Sequence, residues 1–448
     1  MKELERLVRD TQASGRIPAV QAALVRAHRP AWEFSVGSSG TGRPLGPGSL
    51  FRIGSVTKTF TAVLVLQARD AGLLDLDDPV GKHLDVPSHG EHSFRRLLSH
   101  TAGLQREPYG DVWDTLQPPG TAELLAQLDL AEQVLPSARQ FHYSNLGFAL
   151  AGLAVAKLRG GTWAEILHDL VLAPLGLESV TVSPGEDAVI GYQVDAYSDY
   201  ARPEPPVDMA AVAPAAQLWG TATDLARWAA FLADPAGIDP DGAVLKPSTL
   251  DEACWPVTTV DDAAWAAGFG LGVILLPQGD RIVHVGHDGA MPGFLAGVFG
   301  RRGPGTPRGM GAAAFGSAGN GDPVVDLPNK LLAASVAADP ADVTPWVPGE
   351  EVPAEFRSVL GRWWGEGFEH VFRWEKGALV ARPAGAPANK PPSVFAVESA
   401  DVLRTVSGRE AGEQLRLTRD ASGTVVRMHW ATYRFTRDQQ AFDGHSFR

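Results

Sequence analysis

Gly54-Ser55-Val56-Thr57-Lys58-Thr59-Phe60-Thr61-Ala62-Val63-Leu64-Val65-Leu66 reads as the opening of a buried helix. Val56, Phe60, Val63 and Leu64 recur at helical spacing, and Gly72 supplies a stop. Ser55 lies in the first turn, where unpaired backbone N–H groups and the helix dipole favour developing negative charge. Lys58 follows three residues later, so its amine rises from the same face as the hydroxyl. That is a nucleophile with a base one turn away. A lone S-x-x-K also reads as a helix-starting serine followed by a solvated lysine, so the chemistry depends on partners elsewhere in the chain.

The chain has 448 residues, enough for two or three domains, with 44% hydrophobic and 20% charged residues and no long apolar run. Its first ten residues are charged and amphipathic and lack the apolar core of a secretory signal, which predicts a cytoplasmic protein. The 39 basic against 52 acidic residues give a net charge of −13, which argues against nucleic acid and anionic membrane as partners. Cys254 is the one cysteine, which excludes internal disulfides and a cysteine metal cluster. We assign no metal and no cofactor.

Leu4–Gln12 reads as a helix, and Val20–Ala27 and Trp32–Val36 as strands turned by His28-Arg29-Pro30. A mostly helical stretch follows: Phe94–Leu98, Thr121–Val134, the small-residue helix Leu146–Leu158, a capping box at Thr162-Trp163-Ala164-Glu165, and a helix from Thr223 to Leu232. Phe269–Leu276, Arg281–Val285, Leu295–Phe299 and Gly311–Phe315 are strand-like, and Leu327–Ala337 is helical. Strands, a helical insert, then strands and a helix predict an α+β domain over residues 1–338, with an antiparallel sheet and a helical subdomain. Residues 339–353 read as a linker. From 354 to 448 the period changes to two, and six short strands separated by turns such as Lys376-Gly377 and Ser422-Gly423 suggest a small all-β barrel. Trp363 and Trp364 are expected to seat this barrel on the main domain.

There is no G-x-S-x-G elbow, no H-E-x-x-H and no phosphate-binding loop, and Gly268-Phe269-Gly270-Leu271-Gly272 lacks the βαβ context of a dinucleotide turn. What remains is Ser55-Val56-Thr57-Lys58, then Tyr143-Ser144-Asn145 at a helix head, then His287-Asp288-Gly289 between strands. In that chain order the motifs resemble those of the serine β-lactamase and penicillin-binding-protein superfamily, in its class C-like branch with the D-aminopeptidases and related esterases. Leu97-Leu98-Ser99-His100-Thr101-Ala102-Gly103-Leu104, Thr221-Ala222-Thr223-Asp224-Leu225-Ala226 and Pro292-Gly293-Phe294 extend the resemblance across residues 10–337.

The resemblance implies the β-lactamase/transpeptidase-like fold and an acyl-Ser55 intermediate. Lys58 or Tyr143 would be the base, a choice the sequence leaves open. Asn145 would hold Lys58 and the acyl amide. The oxyanion hole would be the backbone N–H groups of Ser55 and Ala290. His287, Asp288 and Gly289 would meet the substrate, with His100 as loop scaffold. The departure from Lys-Thr-Gly weakens recognition of a β-lactam carboxylate and disfavours a penicillinase. With the appended barrel, the chain looks like the stand-alone penicillin-binding-protein-type thioesterases, whose tail resembles a lipocalin. Those enzymes release nonribosomal peptides by head-to-tail macrolactamisation. This implies a peptidyl substrate on the phosphopantetheine arm of a peptidyl carrier protein, with Arg434 of the barrel binding the donor's carbonyl end. The alternatives are an intracellular serine esterase or D-amino-acid amidase of the same fold, and a catalytically silent binding protein.

Overall fold

The alternation of apolar residues in the first strands is set by a sheet buried on both faces. In the computed structural model, β1 (Ala19–Val25) sends Val20, Ala22 and Leu24 into one apolar cluster and Ala19 and Ala23 into another. The sheet has eight strands: β1, β2 (Trp32–Gly37), β5 (Thr258–Thr259), β6 (Gly268–Phe269), β7 (Ile274–Pro277), β8 (Val283–Met291), β9 (Phe294–Arg302) and β10 (Gly311–Gly316). Their order is β2-β1-β10-β9-β8-β7-β6-β5, and the pairings are antiparallel. The short strands β3 (Phe51–Arg52) and β4 (Trp219–Gly220) pair with each other outside it. Residues 261–263, 322, 342–344, 366, 388–389, 442 and 444–448 lie outside the described residues. The chain divides into two units, Met1–Asp342 and Val343–Arg448.

One face of the sheet is covered by α1 (Lys2–Ser14) and α5 (Pro323–Ala338), through Leu4, Val8, Val324, Leu327 and Leu331. On the other, α4 (Ala222–Ala233) lies against the strands, and α2 (Thr57–Asp70) and α3 (Asn145–Arg159) pack on each other within the same apolar cluster. Helix α2 is buried from Thr57 through Leu66, which is why its sequence shows little polarity on any side. Trp228 of α4 stacks on Phe60 at 3.9 Å and donates its indole N–H to Thr59 Oγ1 at 2.7 Å, tying α4 to α2. Trp163 donates to Thr61 Oγ1 from the helix opened by Thr162. At that helix the side chains and backbone groups of Thr162 and Glu165 satisfy one another, the expected capping box.

Helix α4 sits on the sheet at backbone contact. A methyl group on Gly300 would lie 2.1 Å from Ala229 O, and one on Gly311 would lie 2.3 Å from Ala230 N. Small residues on both surfaces set this spacing.

Three stretches depart from the sequence reading. His287-Asp288-Gly289, expected between strands, lies within β8, which continues to Met291 because it stays paired with β9. Phe269–Leu276 is a tight hairpin, because Gly270 N bonds Val273 O and Gly272 takes φ +79°. Thr121–Val134 is helical only over Thr121–Ala126, followed by a single tight turn at Leu128–Leu130.

The second unit is a closed antiparallel barrel of eight strands, not six: β11 (Gly361–Gly365), β12 (Phe368–Glu375), β13 (Ala378–Pro383), β14 (Ser393–Ser399), β15 (Val402–Ser407), β16 (Gln414–Arg419), β17 (Val425–Trp430) and β18 (Tyr433–Thr436). The reading missed β11. It also ran β17 into β18, which reverse at Ala431 (φ +53°) with Trp430 opposite Tyr433. Lys376 and Gly377, at φ +52° and +76°, make the expected two-residue turn. Trp363 is inside the barrel, donating to Val359 O at 2.6 Å with Arg437 over its ring, so it is core and not the expected seat. Among the described residues, no helix is long and apolar enough to cross a membrane.

Gly300→Val should lower the unfolding free energy by about 1–3 kcal/mol, measured by urea denaturation. An unchanged midpoint would contradict the backbone contact with α4.

Candidate active site

Ser55 lies in the single 3-10 turn Gly54–Val56 that feeds α2. Gly54 takes φ +51°, and a methyl group there would lie 2.8 Å from both N and O of Ala290. A methyl group on Gly289 would lie 2.0 Å from Ile53 O and 3.2 Å from Ser55 N. These two glycines press the turn and strand β8 together, so the amide groups of Ser55 and Ala290 are neighbours. Strand β7 pairs with β8 from Val283 to Gly286, so among the described residues the stretch from His287 to Met291 has no strand on that side.

Lys58 is fully buried, with Nζ 3.0 Å from Ser55 Oγ and 2.9 Å from the Ala215 carbonyl, to which it donates. Burial pulls the amine down to about 7, against the opposing pull of Glu107. A neutral amine suits this geometry: one N–H serves Ala215 while the lone pair faces the Ser55 hydroxyl.

Tyr143 directly precedes the Ser144 cap of α3. Burial pushes its phenol well above the usual tyrosine value, against the opposing pull of the Ser55 hydroxyl. Lys58 Nζ is 4.7 Å from the Tyr143 ring centre, and the Arg106 guanidinium is 4.8 Å from it. His100 stacks on the same ring at 4.2 Å. Its Nδ1 accepts the Ser144 N–H at 3.0 Å, and burial, reinforced by Lys58, holds it well below the usual histidine value. A neutral His100 thus fixes the backbone that presents Tyr143.

Asn145 corrects the reading. Its Nδ2 donates to Glu107 Oε1 at 2.6 Å, and its Oδ1 has no partner, so the expected bond to Lys58 is absent. Ala215 O fills that role.

His287 is fully buried, its ring 6.1 Å from that of Tyr143. Its Nδ1 donates to the Asp288 carbonyl at 2.5 Å and lies 3.3 Å from Asp288 Oδ1, which leaves Nε2 unpartnered. Burial works to raise the Asp288 carboxyl, but the hydrogen bond and charge of His287 hold it below the usual range. Asp288 and Ala290 alternate with the buried His287 and Gly289 along β8.

Ser55, Arg106, Tyr143, Asp288, Gly289 and Ala290 line one cleft of about 760 Å³. Its apolar wall is Phe141, Val260, Phe269, Ile274, Leu276 and Leu295. Sequence reasoning missed Arg106 and Glu107. The signal was a charged pair directly after the Leu97–Leu104 loop. The wall was missed because Phe269 and Ile274 face the cleft only through the hairpin.

Arg434 belongs to the barrel unit, on β18. It donates to the Ala441 carbonyl at 2.9 Å and lines a cavity of about 240 Å³ with Trp364, His429 and Tyr433. Away from these motifs in the sequence, His89, Glu91 and His92 bring three donor atoms within 4.8 Å of one another. Both imidazoles already engage protein oxygens through Nε2, at Ala131 O and Gln133 Oε1.

The buried amine has a signature in stability. Between about pH 7, where native Lys58 titrates, and about 10.4, where the unfolded lysine does, the unfolded chain holds a proton that the native chain lacks. Native stability therefore rises with pH across this window, by at most about 1.4 kcal/mol per pH unit. Lys58→Met should remove that slope in urea titrations from pH 7 to 10. An identical slope in the variant would show that Lys58 is protonated in the folded state.

The protein family described as Beta-lactamase matches residues 4–335, and the Domain of unknown function (DUF7586) matches residues 352–437. The chain is 27% identical to Beta-lactamase-like protein 2 of Dictyostelium discoideum, over 58% of this chain and 50% of that one. It is 32% identical to Penicillin-binding protein 4 of Amycolatopsis lactamdurans, over 57% of this chain and 69% of that one. The chain thus spans only half the length of the Dictyostelium relative. The crystal structure of SurE aligns over 97% of this chain and 98% of its own, with a TM-score of 0.63 and 24% identity. The D-amino acid amidase from Ochrobactrum anthropi SV3, complexed with L-phenylalanine, aligns over 75% of this chain and 99% of its own, with a TM-score of 0.62 and 21% identity. At these identities the likeness to the solved structures is one of fold. The chain belongs to the beta-lactamase family and has the fold of the β-lactamases and penicillin-binding proteins, followed by an eight-stranded antiparallel barrel.

Proposed function

We propose that the protein is a penicillin-binding-protein-type thioesterase that releases a peptide from a carrier-bound thioester by head-to-tail macrolactamisation. The observation that carries the acyl-enzyme chemistry is the buried Lys58 amine, drawn down to about 7, at 3.0 Å from Ser55 Oγ. Neutral Lys58 takes the hydroxyl proton as Ser55 Oγ attacks the thioester carbonyl, and the amides of Ser55 and Ala290 receive the oxyanion. The C–S bond breaks and the thiol leaves with a proton relayed through Tyr143, whose raised phenol favours the neutral, donating form. The peptide's own amine then attacks acyl-Ser55. A C–N bond forms, the C–O bond breaks, and the amine's proton returns to Ser55 Oγ through Lys58 and Tyr143. Tethering replaces a second substrate with an intramolecular one.

Three features support this acceptor chemistry over β-lactam hydrolysis. The third motif is His287-Asp288-Gly289, which has a histidine in place of the lysine that would meet a free carboxylate and adds a carboxylate beside it. The apolar wall suits a hydrophobic residue at the acyl donor. The likeness to SurE, solved also with D-Leu, extends through the barrel. On this reading the peptidyl carrier protein is met in the cytoplasm. The amidase likeness favours a second reading, with water as acceptor and a D-amino-acid amide or ester as substrate.

Incubation with a linear peptidyl thioester ending in a D-residue should give a product one water lighter than the free acid. Linear acid alone would defeat the cyclase reading and leave the hydrolase. Ser55→Ala should abolish both products, and turnover in that variant would remove Ser55 as nucleophile.

A further inference from the structure

The cleft holds two carboxylates and one guanidinium besides the Ser55 machinery, and their pairings differ. Arg106 lies over the face of Tyr143 at 4.8 Å and 3.8 Å from Glu107. Asp326 is held by Lys330 and by Asn329, each at 3.2 Å. Asp288 has neither a lysine nor an arginine: among the described residues its ion-pair contact is His287 Nδ1, at 3.3 Å. Its side chain keeps about half of its surface open (52%), and it lines the same cleft as Ser55 and Ala290. A half-exposed carboxylate kept ionised and left without a permanent cation is a site for a cationic group from the substrate.

Strand geometry says where that group would sit. Asp288 and Ala290 are two residues apart on the same face of β8, about 7 Å between Cα atoms. The Ala290 amide is beside the Ser55 amide, where the acyl carbonyl of an acyl-Ser55 would lie. An ammonium on Asp288 is therefore within a short swing of the acyl carbon, and a reacting amine must come to about 3–3.5 Å of it. Lys58, which feels the charge of Asp288, stands ready to take the proton.

We propose that Asp288 is the acceptor-site residue: it docks the attacking amine as an ammonium beside acyl-Ser55 and turns away acceptors that carry a carboxylate. This rests on the acyl-Ser55 reading and deepens it, naming the acceptor class as primary amines without a neighbouring carboxylate. The ammonium first gives up one proton, through Lys58 to solvent, and attacks as the free amine; its nitrogen forms the C–N bond, the Ser55 C–O bond breaks, and the amine's second proton passes through Lys58 to Oγ. The same charge favours aminolysis over hydrolysis, because it concentrates amine where water would otherwise attack.

Two measurements test this. In the full chain carrying Ser55→Ala, D-leucinamide should bind at least tenfold tighter than N-acetyl-D-leucinamide and than D-leucine. Asp288→Asn should erase the difference, and Asp288→Glu, which keeps the charge, should retain a preference. Equal binding of the three ligands, or a preference that survives Asp288→Asn, would overturn the proposal. In the chain with Ser55 intact, acylated by a short acyl thioester with D-leucinamide present, Asp288→Asn should lower the ratio of amide to free acid about tenfold. Both products leave one acyl-enzyme, so a changed acylation rate does not move that ratio, and an unchanged ratio would contradict the acceptor role. If no acyl-Ser55 forms from the thioester, the thioesterase reading falls while the binding comparison still decides the role of Asp288.

Discussion

The site depends on one unfavourable burial. Lys58 puts an amine where water cannot reach it, and among the described residues its hydrogen-bond partners are the Ser55 hydroxyl and the Ala215 carbonyl. Neither carries a charge, so the neutral amine wins, and a neutral amine beside a hydroxyl is a base. The rest of the domain makes that burial possible. Helix α2 is enclosed on all sides, by the sheet, by Trp228 of α4 and by the segment around Pro214 and Ala215. A helix of this composition in open solvent would leave the lysine protonated and the serine inert.

The same logic separates the two residues that the sequence left as rival bases. Burial moves an amine and a phenol in opposite directions, because each is pushed toward its neutral form. For Lys58 neutral means proton acceptor, and for Tyr143 it means proton donor. One apolar enclosure therefore assigns both roles. His100, also buried and neutral, adds no charge to disturb them.

Much of this was legible in the sequence. Ser55, Lys58 and Tyr143 announced themselves through residue type and order, and the sheet strands through alternation and apolar runs. Less was legible where position depends on backbone approach. The hairpin at Gly270–Gly272 looked like one strand, because Ile274 to Leu276 continue its apolar run and only the glycine conformation breaks it. Asn145 was paired with the wrong partner because Glu107, from a loop nearly forty residues earlier, captures its amide. Trp363 looked like an interface residue because a pair of tryptophans beside glycines carries no sign of the barrel that closes around one of them. The close approach of the turn at Gly54 to the strand of Gly289, which sets the two amides side by side, has no local signature at all.

The central claim is that the Lys58 amine is neutral at the pH where the enzyme works. It is most directly measured by following covalent labelling of Ser55 with an uncharged fluorophosphonate by intact mass, as a function of pH. The account predicts a labelling rate that rises through a single midpoint at about 7 and is level well before pH 10. A midpoint near 10, the ordinary value for a solvated lysine, would contradict it.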